Sequence, residues 1–207
     1  MAISVKQATE QDTKFLAQMI LKSSRAGKKV GLFDFLFEMG SDAEVLEKIE
    51  KLTTTTSKSH CHYKNFLIAQ IDGKNVGTLC SYEPRISNQE TFIKALEEIG
   101  CCEDANDILA PFYECSFNIR NSTLMFDFME ELDDFVDVGV LKALMQKSLL
   151  NARLRGYRRA QTIIEIGSLE TEMFYKKLGF RLVEQKECEE YRETFGRNGI
   201  MLFEIEF

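Results

Sequence analysis

Four short stretches carry side chains of types that could do chemistry. Tyr175 heads the turn "YKKLGF". A phenol with an ordinary pKa of about 10 is protonated at neutral pH and can donate that proton. A tyrosine on an amphipathic helix can equally be core, its ring packed and its hydroxyl bonded at the edge. Asp127 lies inside the apolar run "LMFDFM". Burying an unpaired carboxylate is costly, so it reads either as a proton acceptor facing a cleft or as an edge residue open to solvent. Strand alternation puts Asp127, Met129 and Glu131 on one face. Gly139 in "VDVGVL" precedes a long helical pattern. Unpaired N–H groups there could hold an anion, or the glycine simply opens the helix. "HCH", His60 to His62, holds the two histidines of the chain. A metal would need two further ligands, so no metal is assigned and a solvent-exposed strand start is expected.

These groups belong to a chain of 207 residues, 44% hydrophobic, enough for one substantial core and short for two. The expectation is a single domain over residues 1–207 with an inserted helical segment at about 86–121. A formal net charge of -7 leaves no basic face for nucleic acid or an anionic membrane. No apolar run approaches the ~20 residues that span a bilayer, and the N-terminus lacks a signal-peptide layout. The expected location is cytoplasmic. Cysteines 61, 80, 101, 102, 115 and 188 form no CxxC pair and are expected to remain thiols, Cys80 and Cys115 as core fillers.

The elements that must position the four stretches follow from periodicity. Ile3 and Val5 alternate as a strand, Thr9 caps a helix with Asp12 in its first turn, and "AGKKVG" ends it. Ser41 caps a second helix that buries Val45, Leu46 and Ile49. "NFLIAQIDGKNVGTLCSYEP" predicts a hairpin turning at Asp72-Gly73. Ile86 to Asn121 is helical in pattern, with Phe92, Leu96 and Ile99 on one face and a break at Gly100. "STLMFDFMEELDDF" is a strand and acidic loop, "GVLKALMQKSLLNARLRG" a long helix, "AQTIIEI" a central strand, and "SLETEMFYKKLG" a helix capped by Ser168 and stopped by Gly179. "GIMLFEIEF" closes the chain as a strand.

That order, with "GVLKALMQKSLLNARLRGYRRAQTIIEI" followed by "FYKKLGF", resembles the GNAT superfamily of acyl-CoA-dependent N-acetyltransferases. The resemblance covers roughly residues 3 to 84 and 123 to 207. It implies an α/β fold of α+β type, in which a mixed, mostly antiparallel central sheet is flanked by helices. It implies acetyl-CoA as acyl donor and a primary amine of a small molecule or peptide as acceptor. By the same resemblance Tyr175 is the general acid for the departing thiolate and Asp127 the base. Backbone groups of Glu130, Glu131 and Leu132 pair with the pantetheine amides. The phosphate loop falls at Val136 to Leu141, with Val138, Gly139, Val140 and Leu141 at the cofactor. Of its family pattern only Gly139 matches: Val136 replaces a polar or basic residue, Leu141 a small one, and Asp133, Asp134 and Asp137 surround it. Ser168 stands where the family often has a cofactor-contacting Asn, although a helix cap explains it structurally. Tyr82 and Glu83 could line an acceptor pocket or form a surface turn.

Two alternatives stay open. One is a catalytically inactive domain of the same fold, a ligand-binding or protein-interaction module with a degenerate loop. The other, an unrelated nucleotide-binding domain, would need a Gly-rich loop after the first strand, and "SVKQATEQD" has none. A homodimer is compatible with the chain.

Overall fold

The alternating Ile3 and Val5 form β1 (Ile3–Gln7), after which Thr9 and Asp12 lock the start of α1 (Thr13–Arg25). Asp12 Oδ2 accepts the Thr9 backbone N–H and its hydroxyl, each at 2.9 Å. This is a computed structural model; it describes residues 2–101, 104–120 and 122–207, so Cys102 lies outside the described residues.

A one-turn helix, α2 (Leu32–Leu36), follows α1 where the sequence predicts only a breaker. Its five residues are too few to show a period, and its stability comes from tertiary ties. Asp34 accepts the Gly31 N–H at 2.7 Å and pairs with Arg25, while Phe33 and Leu36 are buried. Ser41 caps α3 (Asp42–Leu52), its backbone N–H reaching Glu44 at 2.8 Å in a capping box. β2 (Phe66–Ile71) and β3 (Lys74–Tyr82) form the expected hairpin; Asp72 and Gly73 both take positive φ, as a tight two-residue turn requires.

Helices α4 (Gln89–Glu98) and α5 (Ala105–Cys115) connect β3 to β4 (Leu124–Glu131). Then come α6 (Val140–Leu154), β5 (Arg159–Glu165), α7 (Leu169–Lys177), β6 (Arg181–Glu187), α8 (Glu189–Phe195) and β7 (Gly199–Glu206). Like α2, the seven-residue α8 is too short to be read from periodicity.

Among the described residues seven strands make one sheet, ordered β1-β2-β3-β4-β5-β7-β6. Only β4 and β5 are parallel neighbours; the other pairs are antiparallel. One face carries α1 to α5 over a core that includes Leu16, Phe33, Ile49, Phe66 and Phe92. The other packs α6 over Leu67, Val76, Phe126 and Phe203.

Cys115 and Cys188 form a disulfide between the end of α5 and the start of α8, which corrects the expectation of a free Cys115. The pairing depends on contact across the fold that no local spacing reveals. Cys61 and Cys80 are buried free thiols, and Cys101 is buried with its Sγ donating to the Leu36 carbonyl at 3.1 Å. Among the described residues no helix is long and apolar enough to cross a membrane, and no cluster of three or more potential metal ligands occurs.

Candidate active site

The site begins where β4 and β5 part. Their parallel pairing runs from Leu124–Ala160 to Phe126–Thr162 and stops there, although β4 continues to Glu131 and β5 to Glu165. The cause lies in β4. Phe128 has φ +45°, rare for a bulky residue, and the β3 register shifts opposite it, so one extra residue is inserted as a bulge.

The bulge also overturns the expectation that Asp127, Met129 and Glu131 share a face. A strand alternates strictly only while it is regular, and the inserted residue reverses the faces beyond it. Asp127 faces the cavity on the α1 side, whereas Met129 packs with the α6 cluster and Glu131 lies beneath the first turn of α6. The two carboxylates therefore serve different surroundings.

The cavity holds about 470 Å³ and runs from α1 and α2 across the strand gap to α7 and α8. Asp127, Tyr175, Tyr82, Ser168 and Glu130 line it together. Asp127 Oδ1 accepts the N–H of Phe128 at 2.7 Å, and the carboxylate has no counter-ion among the described residues. Burial pushes its pKa up to about 6, against the pull of that N–H.

Tyr175 is held by the end of its helix. Gly179 at φ +96° lets the Phe180 N–H close back on the Tyr175 carbonyl at 3.0 Å and its own N–H on Lys176, a Schellman closure. The Phe180 ring then meets the Tyr175 ring edge-on at 5.0 Å. Thr162 Oγ1 donates to the Tyr175 hydroxyl at 3.4 Å. Burial raises the phenol well above its ordinary range, so it holds its proton at neutral pH.

Three other candidates lie differently from expectation. Ser168 does not cap α7 with its side chain; its buried Oγ has no hydrogen-bond partner among the described residues, and Ser168 lines the cavity. Glu83 lies one residue past the end of β3, outside the lining of the cavity that Tyr82 borders. It pairs with Arg85 and Arg155 beside a separate hollow that also includes Gln7 and Asn151. The Leu132 N–H is donated to the Val76 carbonyl at 2.9 Å, and the Glu131 carbonyl accepts Lys22 Nζ at 2.6 Å.

His60 was missed as a site residue. Instead of opening a strand in solvent it sits in a turn within the cavity wall, stacked on Phe128 and close to Phe92 and Tyr82. Burial lowers its pKa to about 4, leaving it neutral. His62 does not face solvent either; it caps a short turn, Nδ1 accepting the Lys64 N–H at 3.2 Å. The clue was the aromatic density of "HCHYKNF", which suits a core margin better than a surface strand.

At the far end of β4, Asp137 and Gly139 both take positive φ, and α6 starts immediately afterwards. Its first α-helical bond runs from the Ala143 N–H to the Gly139 carbonyl, so the N–H groups of Val140, Leu141 and Lys142 precede the helical ladder. A Cβ at Gly139 would touch only Ile3 Cδ1 at 3.9 Å, so the backbone is openly approachable. Val140 is buried on Gly77, where a Cβ would come within 2.6 Å of it, and Val138 is exposed. The Glu131 carboxyl is raised above its ordinary range by burial and by Glu130, with the Leu141 N–H pulling the other way. Lys22 links Asp133 at 2.6 Å and Glu130 at 3.3 Å. The loop backbone thus fits a phosphate, while Val136, Glu131 and the nearby aspartates weaken the electrostatic part of that fit.

No family profile and no curated protein matches this sequence. Solved structures do match across the whole chain. An N-acetyltransferase from Staphylococcus aureus Mu50 is 16% identical, with a TM-score of 0.73 over 98% of this chain and 100% of its own. A GCN5-related N-acetyltransferase from Kribbella flavida is 16% identical, with a TM-score of 0.61 over 100% of this chain and 98% of its own. The PaiA N-acetyltransferase from Thermoplasma acidophilum, solved in complex with coenzyme A, is 12% identical with a TM-score of 0.57 over 100% of both. The architecture is therefore an α+β one, and specifically the GNAT fold.

Proposed function

We propose that this protein is an acyl-CoA-dependent N-acetyltransferase that acetylates a primary amine of a small molecule or peptide. The observation that carries the reading is the convergence of Asp127 and Tyr175 on one cavity where β4 and β5 separate. Acetyl-CoA, when bound, supplies the activated acyl group and a thiolate leaving group. The backbone of Glu130, Ser168, and the loop at Val138, Gly139, Val140 and Leu141 are the groups that would hold it, the Glu131 backbone being engaged by Lys22 and the Glu130 side chain.

Asp127 receives the proton of the amine. With its pKa near 6 it is ionised at neutral pH and basic enough to take a proton directly or through water. Tyr175 keeps its proton at Oη and delivers it to the departing sulfur, while Thr162 and the Phe180 ring hold it in place. Tyr82 and the neutral His60 line the same cavity as Asp127 and make its wall aromatic. Glu83, outside this cavity, has no part in the chemistry.

The test is thiol release from acetyl-CoA over a panel of amines. Tyr175→Phe keeps acetyl-CoA affinity, measured by calorimetry, and lowers kcat by about 100-fold or more. Undiminished turnover in that variant would remove the general-acid role.

A further inference from the structure

The cavity also indicates which amine it takes, an inference that rests on the acetyl-transfer reading. Each carboxylate in its wall can be checked for a partner. Glu165 accepts from Lys28 Nζ at 2.7 Å and from the Tyr191 hydroxyl at 3.1 Å, with Arg197 at 3.5 Å. Glu130 is paired with Lys22. Asp127 has only the N–H of its neighbour, and among the described residues no cation reaches it. Lys28, the ammonium in the wall, is taken by Glu165 and by the Phe195 carbonyl at 3.0 Å. Among the described residues the cavity wall therefore offers one uncompensated negative charge and no free positive one.

Around that charge the wall is aromatic. His60 stacks on Phe128 at 5.6 Å and lies 4.6 Å from Phe92, with Tyr82 at 5.6 Å. Further out, Phe112 and Tyr191 continue the lining. Ring faces attract a cation and pack against another ring, and a carboxylate among them selects an ammonium group. An unpaired buried carboxylate is a costly feature that a cationic ligand would relieve.

Helices α4 and α5 add Phe92, Leu109, Phe112 and Tyr113 to the lining of the cavity. α5 is tied to α8 by the Cys115–Cys188 bond, and Lys186 Nζ donates to the Ser116 carbonyl at 2.6 Å, so this part of the wall is held in place.

We propose that the acceptor is a small aromatic primary amine without a carboxylate, its ammonium against Asp127 and its ring among His60, Phe92 and Phe128. An amino acid, or a peptide with a free C-terminus, brings a carboxylate that meets Asp127 with no cation to receive it.

Calorimetry on the full chain without acetyl-CoA tests this, with 2-phenylethylamine as the probe. Wild-type protein binds 2-phenylethylamine at least ten-fold more tightly than 2-phenylethanol, phenylalanine or a tetrapeptide with a free N-terminus, a gap of about 1.4 kcal/mol. Asp127→Asn removes the advantage over the alcohol; because the wild-type ligand series carries the same contrast, the result does not depend on that variant folding. Equal affinity for the alcohol, the amino acid or the peptide overturns the proposal. A parallel titration with acetyl-CoA separates the two readings. If acetyl-CoA binds and 2-phenylethylamine does not, the acceptor class is wrong while acetyl transfer stands. If the amine binds selectively and acetyl-CoA does not, the chamber is as proposed and acetyl transfer fails.

Discussion

The two ends of β4 differ in kind. At the cavity end, Asp127 and Tyr175 are fixed by closed backbone geometry and packed rings, and the one uncompensated charge sits deep among aromatic faces. At the loop end, Asp133, Asp134 and Asp137 stand in solvent, Lys22 clamps the strand edge, and Glu131 lies under the helix whose N-terminus would face a diphosphate. On the proposed reading, the reacting end of the cleft is intact in geometry beside a poorly charged anchor for the donor. The lesson is that backbone shape and side-chain charge can diverge: φ at Gly139 and the helix start keep the cradle, while neighbouring carboxylates oppose what it would hold.

The largest expected effect attacks the loop. Gly139→Glu forces a side chain onto φ +97° and adds a fifth carboxylate beside Glu131 and the three aspartates, so calorimetric acetyl-CoA binding is abolished. Unchanged binding would place the donor elsewhere and dissolve the contrast between the two ends.

Next comes the cavity end, read through stability. The folded pKa of Asp127, about 6, is above its ordinary 3.8, so between those values the native state binds more protons than the unfolded chain. Stability therefore falls as pH rises through that window, by roughly 3 kcal/mol in all. Asp127→Asn removes the loss and is more stable than wild type at pH 7.5 by urea denaturation, with little difference near pH 4. Turnover shows the opposite profile, rising through about pH 6 as the carboxylate ionises. Equal stability at pH 7.5 would mean that the buried carboxylate is not desolvated.

The smallest effect sharpens the comparison. Glu131→Gln takes one negative charge from beneath α6, and acetyl-CoA affinity rises about ten-fold at low salt, less at high salt. A fall in affinity would show instead that Glu131 supports the cradle.

Much of the frame was legible because it is local. The hairpin turn at Asp72-Gly73, the cap at Ser41 and the Gly179-Phe180 closure each declare themselves within six residues. The closure is why Tyr175 could be picked out, since the same residues that stop the helix also fix the ring. What escaped was non-local or too short. The helices α2 and α8 have five and seven residues and lean on tertiary ties. The bulge at Phe128 adds one residue without altering composition, and it was enough to separate Asp127 from Glu131. Glu83 stands one residue beyond β3, where strand alternation no longer fixes its direction, while Tyr82 borders both hollows. The cavity wall could not be read at all, because His60, Phe92, Phe112 and Tyr191 come from four distant parts of the chain.

The Cys115–Cys188 bond joins residues 73 apart and has a consequence for the chain before it folds. Closing so long a loop removes configurational freedom from the unfolded ensemble, on a chain-entropy account roughly 4 kcal/mol. β4, α6, β5, α7 and β6 all lie inside that loop. The oxidised chain therefore searches a smaller set of conformations for the pairing of β4 with β5, while the reduced chain must find it unaided. Thiol oxidation in this protein thus acts on the ease of assembling the cleft as well as on its walls once assembled.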